Sequence, residues 1–386
     1  MASRNSQNNG TANNCSDTYH RVVVKVGTSL LTGNTDRLNL ERMASVVGQA
    51  ARLHNAGAEV LLVSSGAVAA GRHVLNVPRD SRSVIQRQVL AAVGQSRIMN
   101  AYEQLFDWHS IPVAQALLTR RDMRDREGYL NVRNTLEGLI EQRVIPIINE
   151  NDVVAVDEIS GDVFGDNDSL SALVANLINA DLLVILGQMD GLFTADPHSD
   201  PDAKLIPVVE RLNKEIEAMG GPSWDKLGRG GMVTKIEAAR LATASGVDVV
   251  IASGLRNDVL VTLMAGERAG TYFPASTSKM ESRKRYLLSG LSVRGKMSVD
   301  DGAARALTVE HKSLLAAGIS GVTGKFNRGD VVSIEDATER QIAFGKANYS
   351  SDDVRKIMGV RSSRIPEVLN HHYGDEIVHR NDMVIV

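Results

Sequence analysis

Arg21-Val22-Val23-Val24-Lys25-Val26-Gly27-Thr28-Ser29, an apolar run carrying one lysine and ending at a glycine turn, decides how the chain is read. Its valines predict a strand buried on both faces, as a central parallel strand is. An ammonium inside such a strand must be paired or lose its proton. At the carboxyl end of a strand, just before a glycine, it points into the crevice where open α/β sheets bind ligands. A fixed ammonium beside backbone N–H groups suits a phosphate. The competing reading is an edge strand whose lysine snorkels its head to water.

Outward from this strand, short runs of Val, Ile and Leu bounded by Gly, Asn or Asp recur at 58–63, 111–115, 144–148, 182–186 and 247–252. Helical patterns occupy 39–56, 83–107, 130–142, 168–179 and 233–245. Such alternation predicts an α/β fold with a doubly wound, mostly parallel sheet covered on both faces. The style changes near residue 275. Residues 275–290 carry Ser, Lys and Arg with little periodicity and predict a linker, and 291–386 break into short segments divided by Gly and charged turns. The expected organisation is a disordered tail over 1–18, an α/β domain over 19–274, the linker, and a small C-terminal β-rich module over 291–386.

Composition narrows the functional classes. The 386 residues are 43% hydrophobic and 23% charged, with a formal net charge of −3. That balance gives no electrostatic case for nucleic acid or an anionic membrane. Cys15 is the single cysteine, so no intrachain disulfide forms, which fits a reducing compartment and an expected cytoplasmic location. No apolar run approaches the ~18 residues of a membrane span. Residues 1–18 are rich in Asn and Ser and lack the apolar core of a secretory signal. Between Leu291 and Val386 there are thirteen Lys plus Arg and thirteen Asp plus Glu, so the module is formally neutral. Neutrality argues against an RNA partner, which usually needs a basic face.

Four further turns carry polar side chains that belong with Lys25 in one site. Strand 58–63 runs into Ser64-Ser65-Gly66-Ala67, where Ser65 and the N–H of Gly66 suit a carboxylate, although a capping serine is the plainer reading. Ile148-Asn149-Glu150-Asn151-Asp152 places four polar side chains directly after a strand. In Gly165-Asp166-Asn167-Asp168-Ser169, Asp168 or Ser169 reads as a helix cap, leaving Asp166 and Asn167 to face the crevice. Finally, Gly228-Arg229-Gly230-Gly231-Met232-Val233-Thr234-Lys235 opens a helix. Glycines at a helix start let a phosphate approach the backbone, and a bound anion would explain a lysine in a first turn. No Gly-x-x-x-x-Gly-Lys-[Ser/Thr] loop occurs in the chain.

In this order and spacing, these runs resemble the glutamate 5-kinases of the amino-acid kinase family. Leu90-Ala91-Ala92-Val93-Gly94-Gln95 and Gly191-Leu192-Phe193-Thr194-Ala195-Asp196-Pro197 extend the match. The C-terminal module resembles a PUA domain through Val322-Thr323-Gly324-Lys325-Phe326-Asn327-Arg328-Gly329-Asp330 and Gly374-Asp375-Glu376-Ile377-Val378-His379-Arg380. The resemblance implies the amino-acid kinase fold and transfer of the γ-phosphoryl of ATP to the side-chain carboxylate of L-glutamate, the first step toward proline. It implies Lys25 and Lys235 on the transferring phosphoryl, with Asp166 orienting both ammonium groups. Ser65, Gly66, Asn149, Asp152 and Asn167 are implied for the amino acid, Asp152 receiving its α-ammonium. Lys25, Gly27, Gly187, Gln188, Arg229, Gly230, Gly231, Met232, Val233, Thr234 and Lys235 are implied for the nucleotide. Mg²⁺ is expected on the ATP phosphates and water rather than in a protein cage.

The same likeness implies a homo-oligomer (dimer or tetramer), a glutamyl-phosphate reductase as partner, and feedback by proline through the charged loop between Leu117 and Tyr129. The chain departs from the family at Gly187-Gln188, where Thr-Asp is usual, and at Arg229, where Thr is common. Aspartate or N-acetylglutamate as substrate, an RNA-binding protein and a regulatory pseudokinase are the competing readings. The presence of both lysines and Asp166 disfavours the last.

Overall fold

The computed structural model describes residues 19–78, 83–155, 167–197, 199–220, 231–279 and 293–386. The expected tail and most of the expected linker lie outside them. The deciding run folds as β1 (Arg21–Val26), in which Val22, Val23, Val24 and Val26 are fully buried. Next come α1 (Thr28–Thr32), α2 (Leu40–Asn55), β2 (Glu59–Ser64), α3 (Ala67–Leu75), α4 (Val84–Asp107) and β3 (Val113–Leu118). The chain continues through α5 (Arg120–Arg124), α6 (Arg126–Glu141), β4 (Ile145–Glu150), α7 (Asn167–Leu177) and β5 (Leu182–Gly187). Then follow α8 (Lys214–Met219), α9 (Met232–Thr243), β6 (Asp248–Ser253), α10 (Val259–Met264) and β7 (Thr271–Phe273).

These seven strands form one sheet in the order β3-β4-β2-β1-β5-β6-β7, parallel except that β7 runs antiparallel to β6. β1 is central, so Lys25 does not snorkel from an edge. Val22, Val24 and Val26 pack with Met43, Val47, Ile98, Tyr102 and Leu260 of α2, α4 and α10. Val23 enters the opposite core with Leu136, Val174 and Ala238 of α6, α7 and α9. Side chains alternate along a strand, so Lys25 shares the Val23 face and is directed toward α7 and α9. Each buried valine contributes about 1.5 kcal/mol, and a one-residue slip would exchange the two faces.

Three features depart from the expected pattern. The short strand β7 was not foreseen. α3 begins in Ala67-Val68-Ala69-Ala70-Gly71, whose buried face is built of small residues rather than large apolar ones. Its backbone touches that of α4: a Cβ on Gly94 would lie 1.7 Å from the Ala67 carbonyl oxygen, and one on Gly71 1.9 Å from that of Leu90. Finally, the charged segment 117–129, expected as a loop, is mostly helical. Thr119 and Asp122 form a capping box on α5, and the Asp125 carboxylate caps α6 by accepting from the Gly128 N–H at 2.7 Å.

The C-terminal module comprises β8 (Gly295–Val299), α11 (Asp301–Thr308), β9 (Leu314–Leu315), β10 (Ile319–Gly324) and β11 (Val331–Glu335). It ends with β12 (Gln341–Lys346), α12 (Ser351–Ile357), α13 (Ile365–Leu369), β13 (Glu376–Val378) and β14 (Met383–Ile385). Five strands form a sheet in the order β10-β8-β11-β12-β14, and β9 pairs with β13. Met297, Leu307, Phe326, Ile334, Tyr349 and Ile377 fill a core of their own.

This module docks on α6. Arg133 and Asp382 form an ion pair that is almost fully buried, and Arg126 pairs with Asp330. The Arg328 guanidinium donates to Asn131 Oδ1, and Asn134 Nδ2 donates to the Tyr373 carbonyl at 2.9 Å. The Lys346 ammonium lies 3.7 Å from the centre of the Tyr129 ring. Burial, with Arg133 and Arg126 nearby, pushes Lys346 down to about 7. Unfolded, it titrates near ~10.4. Between these values the unfolded chain binds more protons, so stability rises with pH across the window and the penalty is complete below about 7. Lys346→Met removes the titrating group. The melting temperature of the wild type relative to K346M is therefore expected to climb by about 5 °C from pH 6.5 to 9.5; a difference that stays flat contradicts this.

Candidate active site

The sheet order sets the carboxyl ends of β4, β2, β1 and β5 side by side. Lys25 pairs with Val63 on one flank and Ile185 on the other, and Val63 with Ile148. Hydrogen bonds carry this order past the strands: the Ser65 N–H donates to the Val26 carbonyl and the Gly27 N–H to that of Leu186, each at 3.2 Å. Asn149, Ser65, Gly27 and Gly187 thus line one crevice.

At its centre the Lys25 ammonium lies 2.5 Å from Asp168 Oδ1, and Lys235 Nζ donates to Asp168 Oδ2 at 3.0 Å. The Thr234 hydroxyl donates to the same Oδ2 at 2.7 Å. Asp168 is fully buried and Lys25 only 3% exposed. Asp168 comes from the first turn of α7, and Thr234 and Lys235 from the start of α9. Among the described residues, one carboxylate therefore meets two ammonium groups. Gly187 lies against Lys235, where a Cβ would sit 3.6 Å from Cε.

The sequence reading gave the bridging role to Asp166 and made Asp168 a cap. Among the described residues the bridge is Asp168, and Asp166 lies outside them. A cap precedes the helix and turns its side chain back to the first N–H groups. Asp168 is instead already inside α7, and its carboxylate reaches Lys25 and α9.

On the β2 and β4 flank, Asn167 Nδ2 donates to Ser65 Oγ at 3.1 Å, while Asn167 Oδ1 is buried with no partner among the described residues. Gly66 has φ of 99°, the left-handed conformation that lets the chain turn sharply into α3. Asn149 is buried and bonds Gln95, a residue to which the sequence reading gave no task. Asp152 lies in the turn after β4, a turn held by the Ala155 N–H donating to the Asn151 carbonyl at 2.9 Å.

On the β5 flank, Gly231 is the N-cap of α9 and offers no side chain to the first-turn N–H groups, which suits an anion. Gln188 Nε2 donates to the Ser29 carbonyl at 2.9 Å and to Asn34 Oδ1 at 3.2 Å, so its side chain ties the end of β5 to the first turn of α1 and to the turn that follows that helix. Thr234, expected on the nucleotide, has its hydroxyl committed to Asp168. Met232 is partly buried and Val233 is 40% exposed. Arg229 and Gly230 lie outside the described residues. No group of three His, Cys, Asp or Glu among the described residues is placed to hold a metal ion, and no described helix is long and apolar enough to cross a membrane.

Comparison with known proteins matches residues 20–253 to the amino acid kinase family and residues 295–369 to the PUA domain. The chain belongs to the amino-acid kinase family. It is 53% identical to the glutamate 5-kinase of Dehalococcoides mccartyi (strain 195) over 368 residues, 95% of this chain and 99% of that one. Identity is 50% to the glutamate 5-kinase of Herpetosiphon aurantiacus and 46% to that of Pasteurella multocida, covering 95% of this chain each time and 99% and 98% of theirs. Among solved structures, the UMP kinase of Bacillus anthracis aligns with a TM-score of 0.46 at 15% identity, over 67% of this chain and 98% of that one.

In this kinase a buried carboxylate between two ammonium groups cannot be neutralised without leaving the lysines uncompensated. Asp168→Asn is expected to destabilise the fold by about 3 kcal/mol in denaturant unfolding. A cost below about 1 kcal/mol, that of an ordinary surface substitution, would remove Asp168 from the bridge.

Proposed function

We propose that the chain transfers the γ-phosphoryl of ATP to the γ-carboxylate of L-glutamate, giving L-glutamyl 5-phosphate and opening the route to proline. The observation that carries this reading is the spatial order of the crevice. Polar groups suited to an amino acid lie on β2 and β4, the two lysines stand at β1, and glycines suited to phosphates lie toward β5 and α9. The glutamate 5-kinases that match nearly the whole chain at about half identity support the choice of acceptor.

The chemistry asks little of the protein beyond charge and placement. A glutamate carboxylate has a reference pKa of about 4.3, so the nucleophile is already ionised at neutral pH and no general base is required. A carboxylate oxygen bonds to the γ-phosphorus as the bond from phosphorus to the β–γ bridging oxygen breaks, and ADP departs with that electron pair. The obstacle is bringing an anion to a polyanion and stabilising charge on the equatorial oxygens. Lys25 and Lys235 supply that stabilisation, and Asp168 fixes where they point. The first turn of α9 receives phosphate oxygens.

Asp168, already saturated by two ammonium groups and a hydroxyl, is a poor metal ligand. Mg²⁺ fits here as a companion of the ATP phosphates, screening their charge while keeping most of its water.

Ser65, whose oxygen accepts from Asn167, keeps its own proton for the substrate carboxylate. The buried Oδ1 of Asn167 and the charge of Asp152 suit the substrate's α-ammonium. Asp152 would repel the attacking carboxylate, so it belongs at the far end of the amino acid. The product is a labile acyl phosphate, and a reductase that consumes it is the class of partner this chemistry calls for.

ADP release with Mg-ATP tests the reading: L-glutamate is expected to support turnover at least 100-fold above L-aspartate or N-acetylglutamate. Asp152→Ala should raise the glutamate KM by about 50-fold and leave the ATP KM within twofold. Equal turnover with N-acetylglutamate, which lacks a free ammonium, would overturn the assignment.

A further inference from the structure

Gln95 closes the run Leu90–Gln95 that the sequence analysis singled out and that the reaction above leaves without a task. It lies midway along α4, and its Oε1 accepts from Asn149 Nδ2 at 2.7 Å. Asn149 is 2% exposed, and its Oδ1 accepts from the N–H of Glu150 at 2.9 Å. The Glu150 N–H can only meet an oxygen, so the orientation of the Asn149 amide is fixed from one side, and Gln95 fixes it from the other. A primary amide carries two N–H groups. One is committed to Gln95, which leaves Asn149 one N–H to donate to a substrate, beside an Oδ1 already engaged by the Glu150 N–H. The part of an amino acid that takes a donor is a carboxylate.

Asp152, three residues further along, is assigned the α-ammonium, so the carboxylate at this end of the substrate is the α-carboxylate. On the proposed glutamate reading, we infer that Gln95 is a positioning residue for the substrate: acting through Asn149, it aims an amide N–H at the α-carboxylate of glutamate. The helix crossing explains how a residue of α4 reaches this place. Gly94, next to Gln95, lets the α4 backbone touch Ala67 at the start of α3, directly after the Ser65-Gly66 turn. The contact that seats that turn also sets Gln95 over the end of β4.

Glutamate and ATP saturation, together with melting temperature, are measured for wild type, Gln95→Met, Asn149→Ala and the double variant. Q95M keeps the volume and removes the acceptor. It is expected to raise the glutamate KM about tenfold, with kcat and the ATP KM within twofold, as for a contact made equally in ground and transition states. Because Gln95 acts through Asn149, the double variant should be no worse than N149A alone. Gln95→Glu, which retains an acceptor oxygen, should stay closer to wild type than Q95M, and it serves as the probe if Q95M does not fold: a glutamate KM raised tenfold or more in Q95E would then overturn the inference. An unchanged glutamate KM in Q95M, multiplicative effects in the double variant, or parallel rises in both KM values with a lowered melting temperature would also overturn it. Absence of glutamate-dependent turnover in the wild type would remove the functional reading itself, a separate result.

Discussion

A carboxylate without access to water, clasped between two ammonium groups, is the constraint on which the architecture depends. Lys25 could not occupy the central strand unless a counter-charge met it there, and Asp168 can meet it only because α7 begins against that face of the sheet. The same carboxylate reaches Thr234 and Lys235, which fixes the start of α9 relative to β1. Strand, helix and helix are thereby locked around one point. The ion pairs are retained there at some cost in desolvation, because apolar residues of equal volume would pack the same space without that penalty. What the arrangement provides instead is two ammonium groups held in fixed positions at the carboxyl end of the sheet.

Sheet order converts that local device into a layout. With β1 central, β2 and, beyond it, β4 carry the groups suited to an amino acid, while β5 on the other flank carries the approach for phosphates; in the proposed reaction the two reactants would meet over the lysines. Proximity of this kind is what phosphoryl transfer to an already ionised acceptor demands most. The docking of the second module on α6 adds a further level: Arg133, Arg126 and Lys346 crowd positive charge at the junction, offset by Asp382 and Asp330. The helix they hold follows β3, the strand that pairs with β4 beside the amino-acid groups.

Much of this was legible in the sequence for a physical reason. Buried parallel strands are nearly all β-branched or leucine, so Val22–Val26, Leu182–Leu186 and Val249–Ile251 announced themselves, and the alternation with amphipathic helices gave the fold. What escaped was decided by backbone contact or by depth. α3 buries a face made of Ala67, Ala69, Ala70 and Gly71, small residues that serve a close helix crossing and do not stand out as a hydrophobic run. The segment 117–129 looked like a solvated loop because its charges are spent on caps and on the second module. Asp168 reads as a cap because nothing in a linear sequence tells whether an acid at a helix start turns back to the backbone or outward to a lysine with three strands of chain in between. Gln95 was quoted as part of a motif, yet its partner Asn149 lies 54 positions further along the chain.

The most direct measurement is a crystal structure with ADP, Mg²⁺, glutamate and a fluoride mimic of the migrating phosphoryl. The account predicts the mimic within about 3 Å of both Lys25 Nζ and Lys235 Nζ, with Asp168 behind them and the glutamate γ-carboxylate in line. A mimic touching neither ammonium, or lysines drawn apart with Asp168 released to solvent, would contradict it.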